Sequence, residues 1–129
     1  MRTRVLLVDD HPPVLMQISS LLSGEFDVAG MADDGEAMVA GAAELKPDVI
    51  VADITMPHLD GLEASRRILK EQPTLPIVLL TMQNDRQIMQ QALRAGVRGY
   101  VLKLTAGEDL IPAMHEALEG RVFVSPLVK

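Results

Sequence analysis

Short runs of β-branched and other apolar residues alternate along the chain with longer segments in which apolar residues recur every three or four positions. The short runs are typical of buried strands, and the longer segments of helices with one apolar face. They predict strands at 5–8, 26–31, 48–53, 77–80 and 98–102, and helices at about 11–23, 37–45, 62–71, 85–93 and 105–118. This alternation predicts an α/β fold, in which helices cover both faces of a doubly wound parallel sheet.

The last predicted helix contains two local signals that conflict. Thr105 and Glu108 have the spacing of a capping box, which places the helix start near Thr105. Pro112 then falls inside the helix, where proline removes one backbone hydrogen bond and costs roughly 3 kcal/mol. We therefore expect the helix either to begin later than Thr105 suggests or to bend near Pro112.

Composition limits the classes of function that the chain can have. A length of 129 residues suits one domain, and the absence of cysteine excludes disulfides, thiolate chemistry and cysteine-based zinc sites. The formal net charge of −6 argues against direct contact with nucleic acid, because phosphate binding needs a basic face. No apolar stretch has the length of a signal peptide or a membrane span, so we expect a cytoplasmic protein without membrane contact.

Polar residues follow four of the predicted strands at the point where each strand ends. Asp9 and Asp10 follow the first strand, Asp53 ends the third, Thr81 follows the fourth and Lys103 follows the fifth. Because the carboxyl ends of parallel strands share one edge of the sheet, we expect these side chains to lie close together. Three carboxylates in one place repel one another unless a cation binds them, and hard oxygen ligands favour Mg²⁺ or Mn²⁺.

This set of side chains suits phosphoryl transfer. A cation beside Asp53 leaves it ionised and able to attack phosphorus, while Lys103 and Thr81 supply a positive charge and a hydroxyl for phosphate oxygens. Each residue alone has a simpler interpretation: a turn former or cap for the aspartates, a strand residue for Thr81 and a solvated side chain for Lys103. Their joint position at successive strand ends favours the functional interpretation.

Two histidines lie close to the predicted strand ends. His11 and His58 have no second histidine or cysteine at ligand spacing, so the sequence does not predict a histidine-based metal site.

The motifs at the strand ends resemble those of response-regulator receiver domains of two-component signalling, of the NarL/LuxR type. The resemblance covers residues 4 to about 120 and implies a flavodoxin-like (βα)5 fold with five parallel strands in the order 2-1-3-4-5. The matching segments are Leu6-Leu7-Val8-Asp9-Asp10-His11, Asp53-Ile54-Thr55-Met56-Pro57-His58-Leu59-Asp60-Gly61, Leu80-Thr81-Met82 and Gly99-Tyr100-Val101-Leu102-Lys103.

The resemblance implies a role for each site residue. Asp53 resembles the phosphoacceptor, and Asp9 and Asp10 resemble the acidic pair that binds the metal together with Asp53. The backbone carbonyl of Thr55 resembles a further metal ligand. Thr55 also occupies a position at which the family tunes the lifetime of the phosphorylated state.

Four further positions resemble residues that contact the phosphoryl group or respond to it. Thr81 and Lys103 resemble the hydroxyl and the lysine that contact it. Tyr100 resembles the aromatic switch whose rotamer follows Thr81, and Gln83 occupies the second lifetime-tuning position. The resemblance implies that phosphorylation changes the surface formed by the fourth helix, the fifth strand and the fifth helix.

The same resemblance implies partners and a larger protein. Residues 1–120 form the receiver domain, and 121–129 are predicted to begin a linker to a C-terminal helix-turn-helix domain that binds DNA. A sensor histidine kinase is the implied phosphodonor, and phosphorylation is expected to favour a homodimer. The domain is not expected to be an enzyme beyond its own phosphorylation and dephosphorylation. The alternatives are a stand-alone receiver and a degenerate receiver that acts only as an interaction module.

Leu104 departs from the family pattern. It stands where the family often has a cis proline, so we expect a trans bond after Lys103.

Two other classes of protein are disfavoured. A Mg²⁺-dependent phosphohydrolase usually needs a second acid near the nucleophile, but Thr55 stands two residues after Asp53. A flavodoxin-like nucleotide-binding protein would need a glycine-rich loop after the first strand, and none is present.

Overall fold

Six strands alternate with five helices in the computed structural model, which describes residues 2–128. The strands are β1 (Arg4–Val8), β2 (Asp27–Ala32), β3 (Val49–Asp53), β4 (Ile77–Thr81), β5 (Gly99–Leu102) and β6 (Phe123–Val124). The helices are α1 (Pro12–Leu22), α2 (Gly35–Leu45), α3 (Gly61–Glu71), α4 (Arg86–Ala95) and α5 (Ala106–Leu118). No helix in this range is long and apolar enough to cross a membrane.

The strands form one parallel sheet in the order β2-β1-β3-β4-β5-β6. The predicted α/β class and the predicted order of the first five strands are confirmed. The short strand β6 was not predicted: Phe123 pairs with Gly99, and Val124 pairs with Tyr100. Part of the segment assigned to a linker therefore belongs to the sheet edge, while the linker beyond it stays a prediction.

Alternation along the strands divides the core into two layers, because successive side chains of a strand point to opposite faces of the sheet. Leu6, Ile50 and Leu79 point to the face covered by α2, α3 and α4. Their neighbours Leu7 and Val51 point to the face covered by α1 and α5. Both β3 and β4 are buried along their whole length, so polar side chains are confined to the ends of these strands.

The start of α5 differs from the sequence prediction. Thr105 does not cap the helix with its side chain; its hydroxyl donates instead to Asp109 Oδ2 at 2.6 Å. A 3₁₀ turn at Lys103–Thr105 precedes the helix and delays its start to Ala106. Pro112 nevertheless lies inside the helix, so a later start does not remove it from the interior.

The bond between Lys103 and Leu104 is trans, as expected from the missing proline. Leu104 is 87% exposed, so the 3₁₀ turn carries a large apolar side chain on the surface close to Lys103.

Close approach of backbone at the start of α3 requires glycine. The amide of Gly61 donates to the carbonyl of Ile54 at 2.7 Å, which folds the loop after β3 back on itself. A Cβ atom at Gly61 would lie 2.1 Å from the carbonyl oxygen of Asp53, well inside contact distance. The loop can therefore close behind Asp53 only when residue 61 has no side chain.

Gly61→Ala is expected to lower the free energy of unfolding by about 2–3 kcal/mol, because the backbone behind Asp53 must shift to make room. Gly107→Ala is the matched control, since a Cβ there meets nothing within 4 Å and alanine favours a helix by up to about 1 kcal/mol. Urea unfolding of the three proteins measures both effects. Equal stability of Gly61→Ala and wild type would contradict the close approach.

Candidate functional site

The polar side chains predicted to meet do so at the carboxyl edge of the sheet. Asp9 follows β1 directly, Asp53 ends β3, Thr81 ends β4 and Lys103 follows β5. Lys103 Nζ lies 2.9 Å from Asp9 Oδ2 and 3.3 Å from Asp53 Oδ2. Asp9, Asp53 and Thr81 are each at most 3% exposed, so these interactions form largely out of water. The strand ends thus place one ammonium group between two buried carboxylates.

Lys103 is the counter-charge that the protein itself provides. Burial alone would lower the pKa of Lys103, but the hydrogen bond to Asp9 and the charge of Asp53 outweigh it, and the pKa is raised. Lys103 therefore carries a positive charge at neutral pH. Because it contacts residues after β1 and at the end of β3, it also holds three strand ends together.

Asp53 lies in surroundings that resist its ionisation. Burial is the largest cause that raises the pKa of Asp53, and the nearby charge of Asp9 adds to it, while Lys103 lowers it only in part. The amide of Thr55 donates to Asp53 Oδ1 at 3.3 Å, which gives weak further support. The charge of Lys103 alone is thus insufficient to offset the effect of burial on the pKa of Asp53, and a second positive charge would favour the ionised carboxylate.

Four side chains could share a metal ion at this edge. Asp9, Asp10, His11 and Asp53 each offer one ligand atom, and these atoms lie within 4.8 Å of one another. Asp10 Oδ1 is buried and has no hydrogen-bond partner, and a bound cation would compensate for the missing hydrogen bond. Carboxylate oxygens are the ligands that Mg²⁺ prefers, so the residues fit the expected cation. Thr55, at the exposed rim, is the residue predicted to add a backbone carbonyl.

Thr81 and Tyr100 are linked through the backbone of Gln83. Thr81 Oγ1 accepts a hydrogen bond from the Gln83 amide at 2.9 Å, and the Tyr100 hydroxyl donates to the Gln83 carbonyl at 3.0 Å. Tyr100 is fully buried, and this burial raises its pKa. The loop after β4 therefore connects the hydroxyl at the site to the aromatic ring on β5, while the Gln83 side chain lies at the surface.

Sequence reasoning missed two features around the site. His11 Nδ1 lies 3.0 Å from Asp10 Oδ1 and 3.1 Å from Asp9 Oδ1, although spacing along the chain gave no reason to include it. Buried Ser125 accepts from the amide of Leu102 at 3.1 Å and donates to Asp109 Oδ2 at 2.8 Å. It supports the end of β5 just before Lys103. The short segment around Ser125 has no periodic pattern that could have revealed this contact.

Comparison with known proteins decides the family. A family model described as the response regulator receiver domain matches residues 5–115. The chain belongs to the response regulator receiver domain family. The resemblance noted from the strand-end motifs is thereby confirmed, including the NarL/LuxR type, since a response regulator of the LuxR family is among the similar structures.

Similar proteins are response regulators of bacteria. The receiver domain is 35% identical to the response regulator GacA of Pseudomonas aeruginosa over 127 residues, which covers 97% of this chain and 59% of GacA. It matches a two-component response regulator of the LuxR family from Aurantimonas sp. SI85-9A1 with a TM-score of 0.94 and 32% identity, covering 99% of this chain and 93% of that one. The chain thus spans about three fifths of the length of the curated relatives it matches.

The receiver domain of RcsB is a further structural relative. The isolated domain from Salmonella enterica serovar Typhimurium, solved in the presence of the phosphomimetic BeF₃⁻, has a TM-score of 0.89 and 31% identity, with coverage of 99% of this chain and 96% of that one. RcsB is also known as two dimers bound to two parallel DNAs, with a TM-score of 0.88, 31% identity and coverage of 99% of this chain and 66% of that one.

Asp53→Asn is expected to stabilise the metal-free receiver domain at neutral pH. The folded-state pKa of Asp53 lies above its ordinary value of 3.8, so the folded state binds this proton more tightly than the unfolded chain does. Below that value both states are protonated and the penalty is absent. As the pH rises through 3.8 to the raised pKa, wild type loses stability relative to the variant.

Urea unfolding in EDTA between about pH 3.5 and 7.5 measures this difference. Asp48→Asn is the control, because it removes a similar charge from an exposed residue just before the same strand and should not reproduce the pH-dependent gain. A variant less stable than wild type at pH 7.5 would show that the attraction between Asp53 and Lys103 outweighs the cost of burial.

Proposed function

We propose that this receiver domain accepts a phosphoryl group on Asp53 from a sensor histidine kinase. The observation that supports this most directly is the position of the Asp53 carboxylate, buried at a strand end and 3.3 Å from Lys103 Nζ. An oxygen of Asp53 forms a bond to phosphorus while the phosphorus–nitrogen bond of the donor phosphohistidine breaks. The products are an aspartyl phosphate and a histidine side chain, which takes up a proton.

The surrounding side chains have defined roles in this proposal. Asp9, Asp10 and Asp53, with the backbone carbonyl of Thr55, would hold Mg²⁺ or Mn²⁺, which when bound offsets the negative charge of the phosphoryl oxygens. Lys103 contacts a phosphoryl oxygen with an ammonium group that already points at Asp53. This is catalysis by positioning and charge, and it needs no general base because the nucleophile is a carboxylate.

The same contacts provide a switch. The Thr81 hydroxyl, which now accepts from the Gln83 amide, would turn to donate to the phosphoryl group. The Gln83 carbonyl that holds the Tyr100 hydroxyl belongs to the same loop, so Tyr100 and the face formed by α4, β5 and α5 respond together. The phosphoryl group thus acts as a ligand that shifts the populations of two states. Thr55 and Gln83, both exposed, would set how readily water removes it.

We further propose that the domain controls a DNA-binding transcription regulator. The relatives extend beyond the matched length, and RcsB binds DNA as dimers. With a net charge of −6, this domain is poorly suited to contact nucleic acid itself, so a domain after residue 129 would do so. Phosphorylation would favour a homodimer, the protein would act in the cytoplasm beside its kinase, and the only reactions would be its own phosphorylation and dephosphorylation.

Intact mass after incubation with acetyl phosphate tests the central claim. Wild type is expected to gain one phosphoryl group in the presence of Mg²⁺, and Asp53→Asn is expected to gain none. Asp60→Asn is the matched control, because Asp60 is an exposed aspartate at the start of α3 and asparagine preserves its capping oxygen. This variant should be phosphorylated like wild type.

Two outcomes would contradict the proposal. Phosphorylation of Asp53→Asn to the same stoichiometry would identify another acceptor. Failure of the wild type to accept phosphate, both from acetyl phosphate and from a phosphorylated histidine kinase, would instead indicate a degenerate receiver that serves as an interaction module.

A further inference from the structure

The ring of His11 lies beside the carboxylates and does not cap the helix that follows it. It is the residue just before α1, and its side chain makes no capping hydrogen bond to the helix. Its backbone amide donates to Asp9 Oδ1 at 2.9 Å, and Pro12 and Pro13 fix the first turn that follows. The backbone is thus anchored beside Asp9, and the ring lies against the same carboxylate, with His11 Nδ1 in a hydrogen bond with Asp9 Oδ1 at 3.1 Å.

The distances around the ring match those between neighbouring ligands of one ion. His11 Nδ1 lies 3.0 Å from Asp10 Oδ1 and 3.1 Å from Asp9 Oδ1. Two adjacent ligands of an octahedral ion bound at about 2.1 Å are separated by about 3.0 Å. The nitrogen therefore lies where a third ligand atom would be expected beside these two oxygens.

Hydrogen bonding does not fully explain this arrangement. Asp10 Oδ1 is buried and has no hydrogen-bond partner, even though His11 Nδ1 is only 3.0 Å away. The two atoms are close but not aligned as donor and acceptor. A cation bound by both atoms would replace the hydrogen bond between His11 Nδ1 and Asp9 Oδ1, use the lone pair of the nitrogen and satisfy the buried Asp10 oxygen at once.

Charge also favours a cation at this point. Asp9, Asp10 and Asp53 place three carboxylates against the single ammonium group of Lys103, which leaves an excess of two negative charges. His11 adds a ligand without adding negative charge. It therefore changes the chemical preference of the site rather than its electrostatic attraction for a divalent ion.

We propose that His11 Nδ1 is a ligand of the cation held by Asp9, Asp10 and Asp53, and that it raises the affinity of this site for transition cations of the Zn²⁺ and Fe²⁺ class relative to its affinity for Mg²⁺. Imidazole nitrogen suits these ions, whereas an all-oxygen site suits Mg²⁺. This inference rests on the proposed phosphoacceptor site, because it assumes the cation that serves Asp53. It assigns His11 as the residue that determines metal specificity.

The first experiment compares metal affinities by calorimetric titration of wild type and His11→Ala with Zn²⁺ and Mg²⁺. Loss of the nitrogen ligand is expected to weaken Zn²⁺ binding about tenfold or more and to change Mg²⁺ binding less than about twofold. His11→Gln tests ligand chemistry separately, since its amide oxygen should sustain Mg²⁺ binding without restoring Zn²⁺ binding. His115→Ala is the matched control, because His115 lies on α5 beside Glu25 and Phe26, away from the strand ends.

The second experiment detects the ligand directly. Mn²⁺ replaces the cation as a paramagnetic probe, and pulsed electron paramagnetic resonance should show coupling to a directly bound ¹⁴N nucleus in wild type and His115→Ala. The coupling should be absent in His11→Ala. This readout does not depend on phosphorylation.

The outcomes separate this inference from the proposed function. Absence of divalent binding by wild type would overturn both the cation site and the role of His11. Normal Mg²⁺ binding without nitrogen coupling would overturn only the role of His11. Equal weakening of Zn²⁺ and Mg²⁺ in His11→Ala, or tighter binding of both, would show that the ring only positions the carboxylates or competes with the metal.

Discussion

The interaction between Lys103 and the carboxylates of Asp9 and Asp53 is the constraint on which the site depends. Asp9 and Asp53 lie at the ends of neighbouring buried strands, where water cannot separate their charges. Leaving them unpaired would be costly, because burial of an ionised carboxylate is tolerated only with a partner. Lys103 follows β5 and reaches Asp53 across β4, and Asp9 across β4 and β3. The ion pairs thus fix the relative positions of the strand ends that any phosphoryl group would meet.

This arrangement is possible only because of the sheet that carries it. Two apolar layers exclude polar groups from the middle of β3 and β4, so the carboxyl edge is the first place where charge can occur on them. Gly61 then lets the following loop pass against the carbonyl of Asp53. The backbone of the candidate acceptor is closely packed, while its carboxylate lies beside Lys103 at the polar edge. Close packing behind the nucleophile holds it in one place, which transfer by positioning requires.

Much of the fold was predictable from sequence because its signals are local and repeated. Apolar runs and helical periodicity identified five strands and five helices, and the polar residues at the ends of four strands identified the edge where they meet. The missed features depend on contacts between distant segments. Strand β6 has two residues and no alternation to detect, and Ser125 becomes significant only when it contacts Leu102 and Asp109. Asp109 also explains why Thr105 does not cap α5, since it takes the hydroxyl that a capping box would use.

Contacts of the C-terminal segment connect it with the loop beside the site. Asn84 Nδ2 donates to the carbonyl of Leu127 at 2.7 Å, and Asn84 belongs to the loop that follows Thr81 and contains Gln83. Ser125 joins the same segment to β5 through the carbonyl of Tyr100. Under the proposed switch, a turn of Thr81 toward the phosphoryl group pulls on a loop that touches both the aromatic ring and the C-terminal segment. The proposed route from phosphorylation to output would therefore be short, because one loop and one strand end make all of these contacts.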